Sequence, residues 1–187
     1  QAHGVRELWL TSRQGPKSPG AEQLRDELLA TGAREVTIRA CDLADFDQVQ
    51  TLVAAASADS NLSAVYHLAG LRHDQPITAV QDTDLEQVMA GKARGAGHLH
   101  RATLNLDLDQ FVLFSSLAGL VGSPGQASYA AANCFLDALA AHCERLGRDR
   151  SEIKVTKLQM ALVAPTFEEA EAECATILSQ EATDPKT

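Results

Sequence analysis

The chain has 187 residues, 45% of them hydrophobic and 22% charged, with a formal net charge of -9. That is one domain's worth of sequence, long enough to bury a core without staples, and its acidity argues against a nucleic acid or an anionic membrane as the main partner. No apolar run approaches the roughly 20 residues that span a bilayer, and the opening QAHGVREL does not read as a signal peptide, so the expected setting is the cytoplasm.

Short apolar runs alternate with helical patterns along the chain, which predicts a Rossmann-like α/β fold with a doubly wound parallel sheet. The first strand is expected at Glu7 to Thr11 (ELWLT), followed by the turn-forming GPKSPG at 15–20 and a helix marked by Leu24 and Leu28. A second strand follows at Glu35 to Arg39. Asp45 is then placed to cap a helix whose stripe is Phe46, Val49, Leu52, Val53 and Ala56. The third strand is Ala64 to Leu68. In the next helix Thr83 and Glu86 suggest a capping box, and Leu85, Val88, Met89, Lys92, Ala96 and Leu99 recur at helical spacing. Lys92 therefore falls on an apolar face, either snorkelling past its edge or held against a site where its charge acts on a neighbour. The fourth strand is Gln110 to Ser115, and the last is Ile153 to Leu158. Residues 1–165 read as one α/β domain, and 166–187 as an acidic helical tail. Cys41, Cys134, Cys143 and Cys174 show no CxxC pair and no ligand spacing with His, so they are expected to be reduced and mostly packing, with no metal site.

In open parallel sheets, ligands bind outside the carboxyl ends of the strands. The first strand ends in Ser12 and Arg13, and an arginine there accommodates the 2′-phosphate of NADP, although it can equally be an ordinary surface residue. Asp42 and Leu43 close the second strand; Asp42 can bond an adenine amino group or cap the next helix. The third ends in His67, Leu68, Ala69 and Gly70, small enough at Ala69 and Gly70 for a ribose to approach the backbone. The fourth ends in Ser115 and Ser116. Beyond them, FSSLAGLVGSPGQASYAAAN (114–133) sets Tyr129 and Asn133 one helical turn apart. A phenol at a helix start, facing a hydroxyl from a strand end, can hold a carbonyl between two O–H donors.

The stretches LTSRQG, ACDLAD, HLAG, GKARGAGHLH, FVLFSS and GQASYAAANCFLDALA, in that order and at those intervals, resemble the ketoreductase domains of modular polyketide synthases and the related animal fatty-acid synthase. These belong to the short-chain dehydrogenase/reductase superfamily. The similarity runs from about His3 to Ala138. It implies Tyr129 as the general acid and Ser116 as the group that orients the ketone. Single-domain relatives carry a Lys four residues after the Tyr. Here Asn133 stands there, and Lys92 from the preceding long helix matches the synthase arrangement in which the two positions are exchanged. Lys92 would then bias the phenol toward ionisation and bind the nicotinamide ribose, with Asn133 holding a proton-relay water. The resemblance implies NADPH (NADP) as cofactor, contacted by Ser12, Arg13, Asp42, Leu43, Ala69, Gly70, Lys92 and Tyr129. It also implies an acyl carrier protein bearing a phosphopantetheine-tethered β-ketoacyl chain as partner, beside neighbouring synthase domains. In the loop after Gly70 only Asp74 of the B-type LDD motif is kept, and Val121 replaces the A-type Trp, a pattern that leans to B-type stereochemistry.

Two departures accompany the likeness. None of the twelve glycines forms G-x-G-x-x-G after a first strand, and in the order 3-2-1-4-5-6 the absent strand is the central one, so two half-sheets are expected and the chain reads as a fragment of the full domain. After the last strand, QMALVAPTFEEAEAE stands where the family has a Trp-Gly segment and a substrate lid. Alternatives to a reductase are therefore a non-catalytic docking remnant of a synthase reductase domain, or an epimerase or dehydratase-like relative.

Overall fold

The computed structural model describes residues 5–59, 62–141 and 153–158. The chain divides into two compact units, Gln1–Lys157 and Leu158–Thr187, and all the candidate site residues lie in the first. The expected acidic tail, Cys143 and Cys174 fall outside the described residues.

Five strands appear where the alternation predicts them: β1 (Glu7–Ser12), β2 (Glu35–Ala40), β3 (Ala64–His67), β4 (Gln110–Ser116) and β5 (Ile153–Leu158). Between them lie α1 (Ala21–Ala30), α2 (Phe46–Asp59), α3 (Asp82–Met89), α4 (Gly95–Ala102), the single turn α5 (Ala118–Val121) and α6 (Ala127–Ala141). The strands form two sheets, β1-β2 and β3-β4-β5. β1 runs parallel to β2 with Glu7 opposite Glu35, and β3 parallel to β4 with Ala64 opposite Gln110. Among the described residues β1 and β3 each have one strand neighbour, so the two expected half-sheets are present. Tyr66 on β3 is 53% exposed and Leu68 beyond it 64%, high values for the middle of a doubly wound fold, where strands are normally covered on both faces.

One core gathers around the β3-β4-β5 sheet and reaches the end of β2. Cys41, Val49 and Val53 meet Ala96 and Leu99 of α4, Phe111 and Leu113 of β4, Leu136, Leu139 and Ala140 of α6, and Ile153 of β5. β4 is covered on both faces, with Phe111 and Leu113 on one and Val112 on the other, all buried. The α2 stripe packs as its period dictates, and Asp45 caps the helix by accepting the N–H groups of Asp47 and Gln48 at 3.0 and 3.2 Å.

Four sequence expectations need correcting. Leu24 is 47% exposed, because α1 lies over a sheet of only two described strands and its apolar stripe finds little to cover. The capping box at α3 is not Thr83 with Glu86: the helix starts at Asp82, and the Asp84 carboxylate accepts the Gln81 N–H at 2.9 Å. The helix carrying Lys92 runs on from α3 into α4 but is not α throughout, since its turn at Ala90–Arg94 is a π turn. Cys134 is exposed and donates its thiol to the Gly119 carbonyl, whereas Cys41 packs as expected.

Candidate active site

The wide π turn brings Lys92 inward. The residue is 3% exposed, and its ammonium donates to the Phe114 carbonyl at 2.9 Å while standing 5.4 Å from the centre of the Tyr129 ring. Burial pulls its pKa below the ordinary lysine value, because charge is less well solvated there. Gly70 borders the same spot: a Cβ on it would lie 3.5 Å from the Lys92 ammonium nitrogen. A π turn inside a helix is a frequent marker of a functional position. Here it turns a residue of the apolar stripe toward a strand end.

Tyr129 sits in the first turn of α6, half-buried. One turn on, the buried Asn133 donates Nδ2–H to the Tyr129 carbonyl at 2.7 Å, and its Oδ1 is buried without a partner. The Ser115 hydroxyl is 3.4 Å from the Asn133 carbonyl, linking β4 to α6. Ser116, at the end of β4, accepts the Ala118 N–H at 3.2 Å and so starts α5. The structure thus brings Lys92, Gly70, Tyr129 and Asn133 together, with Ser116 two residues beyond the carbonyl that receives Lys92.

The loop that follows β3 is fastened to the segment before Tyr129. The Gln126 amide donates to Asp74 at 2.9 Å, the Gln75 N–H donates to the Gly125 carbonyl at 2.8 Å, and the Gln75 amide reaches Asp84 at 2.7 Å. Gly125 carries a φ of 75°, a left-handed conformation that favours glycine.

The remaining candidates lie around the β1 and β2 ends. Ser12, Arg13, Gln14 and Ser18 line an open hollow. The Ser12 hydroxyl accepts the Gly15 N–H at 2.9 Å and pairs with that of Ser18 at 2.7 Å. Gly15 has a φ of 54°, and a Cβ there would strike the Ala40 backbone, so β1's turn is held tightly against the end of β2. Asp42 accepts the Ala44 N–H at 2.9 Å, closing a local turn, and the helix cap belongs to Asp45 instead. Leu43 packs partly buried against the core and accepts His98 Nδ1–H at 2.9 Å. Ala69, half-buried beside Gly70, continues the chain from β3.

One residue of this neighbourhood stood in the sequence only as a strand end. His67 is 2% exposed, and its Nε2 lies 2.8 Å from the Lys92 carbonyl. A polar residue closing an otherwise apolar run was the available signal.

The chain resembles known proteins over most of its length. The family model described as KR domain matches residues 1–160. Polyketide synthase GfsB of Streptomyces halstedii is 52% identical over 145 residues, 78% of this chain and 3% of that protein. Mycoketide-CoA synthase of Mycobacterium tuberculosis is 49% identical over 140 residues, 75% of this chain and 3% of that protein. An A-type ketoreductase structure from a modular polyketide synthase superposes with a TM-score of 0.75 at 42% identity, covering 91% of this chain and 36% of that one. A short-chain dehydrogenase from Mycobacterium smegmatis, 18% identical, shares the fold with a TM-score of 0.70, covering 91% of this chain and 84% of that one. The chain therefore spans about 3% of the length of these curated relatives. With a KR-domain match that spans all of its described residues and this fold, the chain belongs to the ketoreductase domain family of polyketide synthases, oxidoreductases built on the short-chain dehydrogenase/reductase fold.

Proposed function

We propose that the site reduces the β-keto group of an acyl chain tethered to an acyl carrier protein, with NADPH as the reductant. The observation that carries this is the buried Lys92 ammonium, aimed by a π turn at the Phe114 carbonyl beside Gly70 and the Tyr129 ring. A buried cation with one hydrogen bond is costly to keep, and its place beside a phenol at a helix start is what carbonyl reduction needs.

The residues fit a nicotinamide dinucleotide. Gly70 leaves open a space that a side chain would fill, Asn133 Oδ1 is a buried acceptor without a partner, and the hollow at Ser12 and Arg13 offers a cation to a phosphate. Arg13 and Ser12 would hold the 2′-phosphate, Asp42 and Leu43 the adenine, and Ala69, Gly70, Lys92 and Tyr129 the ribose nearer the chemistry. Bound there, the cofactor supplies the hydride. Tyr129 donates its proton to the ketone oxygen, Ser116 holds that oxygen by a second hydrogen bond, and Lys92 places positive charge where the oxyanion develops. Asn133 holds a water through which the phenol regains its proton.

The relatives are polyketide synthases of which this chain matches about 3%, which supports neighbouring synthase domains as partners; the reading adds a carrier protein presenting the phosphopantetheine thioester, in the cytoplasm. One further parallel strand with a glycine turn, paired to the free edges of β1 and β3, would complete the sheet and cradle the pyrophosphate at a helix N-terminus. The unpaired edges among the described residues also favour a second reading, a docking remnant without catalysis. The Tyr129→Phe variant decides between them in protein that binds NADPH: turnover is abolished while NADPH affinity, read by fluorescence titration, is retained. Unchanged turnover removes Tyr129 as the acid. Absence of NADPH binding even with the sheet completed establishes the remnant.

A further inference from the structure

We propose that His67 is a positioning residue for Lys92: by donating its Nε2–H to the Lys92 carbonyl, it fixes the π turn that aims the ammonium at Phe114 and Tyr129. The inference rests on the reading of Lys92 as part of the reductase site.

The two residues stand 25 positions apart in sequence, at the end of β3 and in the π turn, and meet at 2.8 Å. The carbonyl can only accept, so the proton of the ring belongs on Nε2, and Nδ1 carries a bare lone pair. That Nδ1 is buried and has no partner. Burial holds the His67 pKa below the ordinary histidine value; the bond to the Lys92 carbonyl opposes this, the Lys92 charge adds to it, and the net lowering keeps the ring neutral.

The ring's place is tightly drawn. A Cβ on Gly95 would lie 2.9 Å from the Leu43 Cβ and 3.5 Å from the His67 Cε1, so glycine lets Leu43 and the His67 ring pack closely against the helix there. The Gly95 N–H bonds both the Ala90 and the Lys92 carbonyls. The Lys92 carbonyl thus has two donors, one from its own turn and one from β3. The second ties the turn to the strand that leads into Gly70, which borders the ammonium.

A core-filling hydrophobe at position 67 would leave no orphaned nitrogen. A histidine there makes physical sense when its other nitrogen has a task, because an unpaired buried acceptor is expensive. The task visible is the backbone of Lys92, with the side chain aimed as a consequence.

The test reads the Lys92 ammonium directly, in the 187-residue chain labelled with [15N]lysine. Its N–H cross-peak, assigned by its loss in Lys92→Arg, should be visible through slowed exchange with water. His67→Gln, whose amide N–H reaches about as far as Nε2–H, should keep it. His67→Leu should lose it through exchange at least about ten-fold faster, as expected when a buried hydrogen bond is released. An unchanged cross-peak in folded His67→Leu, or its loss in folded His67→Gln, overturns the proposal. Should His67→Leu not fold, [15N]histidine spectra of the unmodified chain decide: protonated Nε2 with bare Nδ1 supports the proposal, and the opposite tautomer overturns it. In protein that turns over, His67→Leu should lower kcat by about 10- to 100-fold with little change in KM, and His67→Gln should restore it to within about three-fold. A wild-type protein without turnover sinks the reductase reading while leaving the resonances to decide this one.

Discussion

Lys92→Met keeps the length and apolar stem of the side chain and removes its charge, so its effect on stability separates a residue kept for function from one kept for the fold. The change forfeits the hydrogen bond to the Phe114 carbonyl at 2.9 Å, worth about 1.5–3 kcal/mol for a charged donor. It also removes the ammonium 5.4 Å from the Tyr129 ring centre, worth about 0.5–2 kcal/mol. Against these stands the cost of holding an ammonium at 3% exposure, several kcal/mol after relaxation. No ion pair to Lys92 offsets that cost among the described residues. The terms nearly cancel, and the variant should be as stable as the wild type or more so by about 1–2 kcal/mol. In urea unfolding, with a slope of about 2 kcal/mol per molar, the midpoint should stay or rise by up to about 1 M, while ketone reduction is lost. A midpoint lowered by more than about 1 M would make Lys92 a structural lysine and refute the reasoning.

Other expectations rest on separate parts of the molecule. Arg13→Ala should lower the preference for NADPH over NADH, measured as the ratio of kcat/KM values, by about 10- to 100-fold, the worth of one charge-assisted contact to phosphate; an unchanged ratio would return Arg13 to the ordinary surface. Leu136→Ala empties a fully buried position where α6 meets β4 and should cost about 2–5 kcal/mol in denaturant unfolding. The buried His67 resists protonation in the folded chain, with its pKa below 6.5. Unfolded chains take up that proton near pH 6.5, so stability rises with pH between the folded and unfolded values. It is lost as pH falls below about 6.5, by up to about 1.4 kcal/mol per pH unit. His67→Gln should flatten that segment of the stability–pH curve, and a slope unaltered by the substitution would place the titrating group elsewhere.

What the sequence reveals here is what local rules govern. Strand periods placed the five strands among the described residues, the Asp45 cap was readable from one side chain and two following N–H groups, and Lys92 stood out because a charge interrupted an apolar stripe. The pairing of Tyr129 with Asn133 needed only helical spacing, and the family pattern supplied the place of Lys92. The π turn was not legible, because it is decided by where the Lys92 carbonyl finds donors, and one of them is 25 residues away. His67 was visible only as the polar end of a strand for the same reason. At α3 the Thr83 and Glu86 pattern was real but misplaced: Asp84, held also by Gln75, reaches back to Gln81 and starts the helix at Asp82. Leu24 obeyed the period of α1, yet burial needs a surface to pack on, and its own pattern carries no information about that surface.

The central claim is that this site delivers a hydride to a carrier-bound β-ketone and that Tyr129 completes the reduction with a proton. The direct measurement is mass spectrometry of the acyl chain after a β-ketoacyl carrier protein is incubated with the complete reductase domain and NADPH deuterated at the transferring position. The account predicts one deuterium on the β-carbon of a β-hydroxyacyl product with the wild type and none with Tyr129→Phe. Wild-type protein that binds the labelled cofactor yet leaves the β-ketone unreduced and unlabelled would contradict it.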